Sequence, residues 1–423
     1  MKKKFLIAVL ATMTTVCCSL GLAACGDGGS KAEELPYTFR SSNGETWELV
    51  GVDRTKEGEF EIPSTYDGKP VTGIGENVFA GAKFTGIIIP DTITYIKKGA
   101  FSYCENITSI NIPGGVTEIG EEAFGSCTKL TSITVPDSVT TLGDEAFSNC
   151  TALTSAKIGS GVTAIGERLF SCCSGLTNVT LPDTVQSIGL MAFEQCAGLS
   201  SITIPDSVTT LGEGVFSSCG NLTTVKLSER LTSIGVNAFA SCEKLKSVTI
   251  PDSVTVISDR AFYGCTGMTD FTAGKGVKTI GETALYNCGN LKNVTIQNES
   301  AVGEQAFGGC GKIENLTAPA SVIPSIWQYC LSSLKKVTVT SGDNLVKDAL
   351  RGCENLESVT LPDTITSIGE EAFAYCTSLK VINFRGTKAQ WEAIEKGRSW
   401  YEPNTDTDLK VVCKDGEITI EHA

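Results

Sequence analysis

Nine cysteines, Cys104, Cys127, Cys150, Cys173, Cys196, Cys219, Cys242, Cys265 and Cys288, recur at every twenty-third position. Cys310, Cys330, Cys353 and Cys376 continue the row after one 22-residue step and one 20-residue step. A period of this length is the mark of a stacked solenoid. One such coil cannot bury its own apolar side, and a stack can, each coil covering the next. No stretch of the repeat is therefore an independent globular motif.

The copy "LTSITVPDSVTTLGDEAFSNC", residues 130 to 150, shows what each coil contains. Ile133 and Val135 alternate with polar residues, which predicts a short strand with one buried face. Pro136-Asp137 ends it, because proline cannot donate to a ladder and Asp favours turns. Val139 to Leu142 reads as a second extended piece. Gly143 is expected to supply a conformation that a Cβ resists. "DEAF" is too short for a regular helix and predicts one helical or 3₁₀ turn. Three residues before each ladder cysteine stands Phe101, Phe124, Phe147, Phe170, Phe193, Phe216, Phe239, Phe262, Leu285, Phe307, Trp327, Leu350 or Phe373. These predict a spine of stacked apolar side chains rather than a cofactor box.

The cysteines themselves are expected to be inert core thiols. Equivalent side chains of stacked coils point the same way about 4.7–4.9 Å apart, whereas a disulfide brings Cβ atoms to about 3.8 Å. With no cationic or histidine partner, a buried thiol has no reason to ionise and behaves as a small apolar group.

The pattern C-x-x-L-x-x-I-x-I-P-D-S-V-x-x-I-G-x-x-A-F-x-x-C resembles the BspA-like class of bacterial surface leucine-rich repeats, over roughly residues 70 to 385. The resemblance implies a curved right-handed solenoid with a parallel sheet on its concave face. It also implies a cell-surface role in adhesion or protein binding, with no shared catalytic site. The pattern lapses between residues 297 and 345, where "QN", "AP" and "SG" replace "PD", and stacking there is expected to be irregular.

The ends lack the repeat. Residues 1–24 read as a lipoprotein signal peptide: Lys2, Lys3 and Lys4, an apolar stretch, then Leu22-Ala23-Ala24 before Cys25. Cys25 is the expected lipidation site, where a diacylglycerol thioether would tie the chain to a membrane. Residues 25–36 are expected to be a flexible tether, and residues 37–69 an N-terminal β cap with a hairpin about Asn43-Gly44. Residues 70–385 hold about 13 to 14 repeats. Residues 386–423 form a C-terminal cap: a helix opened by a Thr387/Gln390 capping box and stopped by Gly397, then a hairpin about Asp415-Gly416.

His422 is the one histidine of the chain, which excludes a Ser-His-Asp triad, a Cys-His pair or a histidine zinc site in the repeat. "GSGVTAIG" lacks the last glycine of a dinucleotide loop. Paired carboxylates such as Glu121-Glu122 and Glu370-Glu371 sit at solvated turns. The Asp residues after proline (Asp91, Asp137, Asp183, Asp206, Asp252, Asp363) come one to a coil, too few for calcium. No catalytic residue, metal ligand or cofactor is expected. The net charge of −14, or −17 with 31 basic against 48 acidic residues once the leader's three lysines are removed, repels nucleic acid.

On the strands, outward residues form rows such as Ser132/Thr134, Ser201/Thr203 and Asn293/Thr295. Lys157, Lys226, Asp270 and Lys336 interrupt these hydroxyl rows and are the candidate ligand contacts. The reading is a non-catalytic, exported, lipid-anchored protein of a bacterial cell surface whose solenoid binds an extracellular or host protein. The alternative is a structural spacer or a polysaccharide-capturing surface lipoprotein.

Overall fold

The computed structural model describes residues 37–41, 43–329, 332–402 and 408–421, apart from the side chain of Trp327. The leader, Cys25, the tether, Cys330 and His422 lie outside the described residues. From Tyr37 onward the chain winds through about 15 coils, and most of them contribute short strands to parallel sheets on two faces. Ser132–Thr134, Ser155–Lys157 and Asn178–Thr180 pair residue for residue, one repeat apart. On a second face, Ala164–Ile165, Ser187–Ile188 and Thr210–Leu211 do the same. Each coil turns one apolar residue per strand inward, Ile133 and Ala156 among them, and leaves its neighbours exposed or half-buried. The molecule is a leucine-rich-repeat solenoid with very little helix.

In the regular coils "DEAF" and its equivalents are not helical or 3₁₀ turns. Among the described residues 3₁₀ helix occurs at Ile323–Ser325 and Trp327–Tyr329, inside the irregular stretch. Elsewhere the segment is a run of linked turns in which every second N–H points out of the coil. Glu122, Phe124 and Ser126 donate to Asp144, Ala146 and Ser148 of the next coil at 2.7–2.9 Å, while Ala123, Gly125 and Cys127 close i−3 bonds within their own. Sharing the donors between two directions requires left-handed residues, and Glu122 (φ 52°) and Ser126 (φ 59°) supply them. A local helical reading missed this because the competing partner lies in the next coil.

Gly143 also differs from expectation. Its φ is not positive; instead a Cβ there would stand 2.3 Å from the Glu121 nitrogen and 2.5 Å from the Gly120 carbonyl carbon. Glycine lets two coils approach, which is a packing requirement rather than a conformational one.

The core follows the columns. From Phe79 to Phe262 nine rings stack coil on coil, centroids 5.0–5.5 Å apart and planes within 16°. Offset pairs of this kind add about 0.5–1.5 kcal/mol each beyond their burial. Beside them runs the thiol column. Eleven ladder cysteines donate Sγ–H to the carbonyl of the residue 25 or 26 positions back, at 3.0–3.3 Å. Each Phe carbonyl thus takes its own coil's Cys N–H and the next coil's thiol, as Phe101 does from Cys104 and Cys127. Burial pushes the thiols of Cys104, Cys150, Cys219, Cys265 and Cys376 up to about 12. The described cysteines are free thiols.

At the N-terminal end Tyr37–Arg40 and Trp47–Val52 form an antiparallel hairpin. Its turn is tied by Asn43 Oδ1, which accepts from Glu45 and Thr46, with Gly44 left-handed. Trp47–Val52 then pairs in parallel with Lys69–Ile74, and Gly58–Glu61 with Phe84–Ile88, so both sheets run on into this segment. Glu48, 7% exposed, sits under it and accepts from Arg40 (2.6 Å), Lys97 (2.6 Å) and the Tyr95 hydroxyl (3.0 Å). Burial opposes its ionisation, but these donors hold its carboxyl below the usual range.

At the C-terminal end the Thr387/Gln390 capping box opens the helix Lys388–Ala393, and Trp391 faces the core. The helix stops at Ile394, not at Gly397. Gly397 occupies the repeat's glycine column, its N–H bonded to the Ile368 carbonyl at 2.7 Å. In the closing hairpin, Leu409–Cys413 with Gly416–Ile420, the two loop residues are Lys414 and Asp415. The turn falls one residue earlier than expected because Gly416 is paired to Cys413.

Candidate functional site

Two kinds of surface run the length of the solenoid: the outward rows of the longer strands, and the edge made by the linked turns. On the strand face, threonine hydroxyls of the regular coils turn back to the preceding coil. Thr131, Thr154 and Thr177 donate to the carbonyls of Thr108, Thr131 and Thr154 at 2.9–3.0 Å. These hydroxyls knit coils together as well as meeting solvent.

The four candidate residues fall in two different rows. Lys157 lies between Thr134 and Thr180, and Lys226 beside Thr203. They share a row and stand three coils apart, about 14 Å at the usual strand spacing. Asp270, Asn293, Asn315 and Lys336 form part of the adjacent row, paired strand to strand. So the structure joins Asp270 to Lys336 within one row and Lys157 to Lys226 within another, and does not gather all four.

The row between Asp270 and Lys336 is an amide ladder. Asn315 donates to Asn293 Oδ1 at 2.7 Å, and Asn293 to Asp270 Oδ1 at 2.6 Å. Thr269 adds a second bond, at 2.6 Å, to the Asp270 carboxylate. Hydrogen bonds from Thr269 and Asn293 hold the Asp270 carboxyl below its usual range. Asp270 is thus an anchored terminus of the ladder, whereas Lys157, Lys226 and Lys336 are exposed and make no ion pair among the described residues.

The carboxylate pairs are held by cations of neighbouring coils: Glu121 by Lys98 (2.8 Å), Glu370 by Lys347 (3.1 Å) and Glu371 by Arg351 (2.8 Å). Asp137 and Asp252 accept the N–H of Ser160 and Lys275 at 2.7 and 2.9 Å, in the coils that lack Pro-Asp. Among the described residues no group of three or more side chains is placed to hold a metal ion.

The turn edge carries exposed aromatics that the strand rows do not reveal. Tyr263 and Tyr286 stack there at 5.5 Å, 8° from parallel. Tyr103 and Tyr375 are more than half exposed, and Arg351 lies over the Tyr375 ring at 5.3 Å. The signal was present: Tyr263 and Tyr286 stand one repeat apart, each directly after its column residue Phe262 or Leu285.

Comparison with known proteins places this geometry. A leucine-rich repeat protein of Bacteroides ovatus is 24% identical, aligned over 91% of this chain and 100% of its own, with a TM-score of 0.59. A leucine rich cell surface protein of Faecalibacterium prausnitzii is 29% identical over 87% of this chain and 98% of its own, with a TM-score of 0.47. No curated protein matches the sequence. The family model of the BspA type leucine rich repeat region matches in overlapping stretches from residue 72 to residue 393. With three quarters of its length matched by that model and its coils stacked as the repeat requires, the chain belongs to the BspA type leucine-rich repeat family.

Proposed function

We propose that the chain is a non-catalytic, exported lipoprotein that presents its solenoid at a bacterial cell surface to bind an extracellular or host protein. The observation that carries this reading is the unbroken eight-stranded sheet running from Asp270–Thr272 to Gly416–Ile420. Its outward rows include exposed side chains that make no ion pair among the described residues, Lys336 among them. A solenoid offers an extended surface of this kind for macromolecular partners. Membership of a repeat family that serves as a protein-binding scaffold supports the same reading.

The test is binding of the full chain to an array of extracellular-matrix and mucosal proteins, read by surface plasmon resonance. Saturable binding that weakens at least several-fold in the K336S variant is expected, since Ser358 already fills the next position of that row. Absence of saturable binding, or binding indifferent to the strand rows, overturns it. The anchor is tested separately. Mass spectrometry of the mature N-terminus should find a diacylglycerol adduct on Cys25, and the Cys25→Ser variant should leave the membrane fraction; an unmodified Cys25 removes the lipoprotein part.

A further inference from the structure

A groove of ≈ 440 Å³ opens beside the Pro-Asp turns of two consecutive coils, and Asp183, Arg230, Thr163, Gln186 and Thr209 line it. Its origin is one substitution in the repeat. The third residue of the turn is normally Ser or Thr, and its hydroxyl donates to a carbonyl of the preceding coil. Thr184 bonds Val162 at 2.8 Å, Ser207 bonds Val185 at 2.6 Å and Ser253 bonds Leu231 at 2.7 Å. In "SERL", residues 228–231, arginine takes that place. Ser228, standing where proline usually does and fully buried, bonds the Val208 carbonyl at 2.6 Å instead. Arg230 is thereby released from the inter-coil bond and its exposed side chain borders the groove.

The groove also interrupts a second column. Thr94, Thr117 and Thr140 below it, and Thr232 and Thr255 above it, each donate a hydroxyl to the preceding coil at 3.1–3.4 Å. Between them Thr163, Gln186 and Thr209 use their side chains in no bond among the described residues. The same holds for Asp183, whose counterparts Asp137, Asp206 and Asp252 accept a backbone N–H of the next coil, and for the Arg230 guanidinium. Five polar side chains without internal partners therefore meet in one hollow, flanked on both sides by coils where the equivalent groups are bonded.

We infer that this groove binds one or two residues of a neutral oligosaccharide. Guanidinium, carboxylate and amide are planar donors and acceptors that hydrogen-bond vicinal hydroxyls in pairs. Asp183 and Arg230 cancel in charge, which selects against a polyanion. The lining carries no aromatic ring, so the contact is one of hydrogen bonds, and the volume lies toward the small end of the range typical of small-molecule sites. The site is separate from the strand rows invoked above, so each can fail without the other.

The experiment is saturation-transfer NMR and calorimetric titration of the full chain with glucose, mannose, galactose and N-acetylglucosamine oligomers of two to four residues. Arg230→Ser and Gln186→Thr both restore the residue the repeat uses elsewhere in those columns, so thermal melts should be unchanged. Saturable binding by at least one neutral oligomer, weakened tenfold or more in R230S and less in Q186T, is expected. No saturable binding by any oligomer, or equal binding by R230S, overturns the inference. So does displacement by free amino acids or dipeptides at lower concentration than by sugars, which would make the Asp183–Arg230 groove a zwitterion site. Protein-array binding should be unaffected by R230S.

Discussion

The coils before Phe262 and those after Leu285 hold together by different means. In the first region the rings of the Phe column stack without a break, while the sheet of longer strands is in pieces of two or three strands. At Thr249 it is reduced to a single bridge to Thr272. In the second region the longer strands form one eight-stranded sheet and the ring column is interrupted at Leu285 and Leu350. The hand-over occurs at Phe271, a strand residue, which packs edge-on to Phe262 at 6.1 Å and to Phe307 at 6.4 Å, filling the room that Leu285 leaves. The 22- and 20-residue steps explain the exchange. The five-residue spacing from Cys288 to Asn293 is repeated from Cys310 to Asn315, so the deletion falls between the longer strand and the Phe turn. The short strands still pair at the 22-residue step, Thr279–Ile280 with Ala301–Val302; in the next coil the 3₁₀ segments Ile323–Ser325 and Trp327–Tyr329 take the place of the linked turns, and the strand side keeps its one-to-one pairing. Cohesion between coils can thus be carried by either column, provided the other is filled.

The largest test removes what both regions share. Ten of the ladder thiols have raised pKa values in the folded chain, about 12 for five of them, against about 8.5 in an unfolded one. Below about pH 8.5 both states hold the proton and nothing is lost. Above it the unfolded state releases protons that the folded state keeps, so stability falls by up to about 1.4 kcal/mol per pH unit per thiol. Circular dichroism should show the whole solenoid unfolding cooperatively between about pH 9 and 12. A melt that is flat across that window would mean the thiols do not form the buried column.

Next in size is the ring stack. Phe170→Ala, in the middle of it, should cost about 3–5 kcal/mol in chemical unfolding. To sharpen the contrast between regions, Leu285→Phe and Phe271→Leu should be combined. Each single change over- or under-fills the hand-over, and the pair should recover about 0.5–3 kcal/mol of the summed loss by moving the ring back into its column. Strict additivity would break the idea that Phe271 substitutes for the missing ring. The smallest effect belongs to the amide ladder. Asn293→Ala should cost about 1 kcal/mol and loosen amide exchange at Asp270 and Asn315 without changing it at Phe170; an equal change in both regions would show that the rows are not local.

Much of this was legible from residue spacing. A fixed period with an apolar head predicts a solenoid, the Phe and Cys columns predict its core, and Thr387 with Gln390 predicts the C-terminal helix that forms. The misses share a cause. "DEAF" looked helical, Gly143 looked conformational and Gly397 looked like a helix stop because each was weighed against its near neighbours in sequence, while the bond or contact that decides it comes from one coil away. The candidates Lys157, Lys226, Asp270 and Lys336 were found as exceptions to a row. Their separation into two rows, and the capture of Asp270 by Asn293 and Thr269, depend on strand register.

What the sequence by itself determined is therefore whatever repeats: which residues stack upon which, since a fixed period makes every position a column. What only the tertiary structure decided is where one coil's atoms meet the next. That includes the thiol that donates to a Phe carbonyl of the preceding coil, the glycine that admits its neighbour's backbone, and the arginine freed when Ser228 takes over its bond. The reason is that a column is a property of spacing alone, whereas a hydrogen bond across coils depends on the direction of donor and acceptor at about 5 Å separation. Only the assembled stack sets that direction.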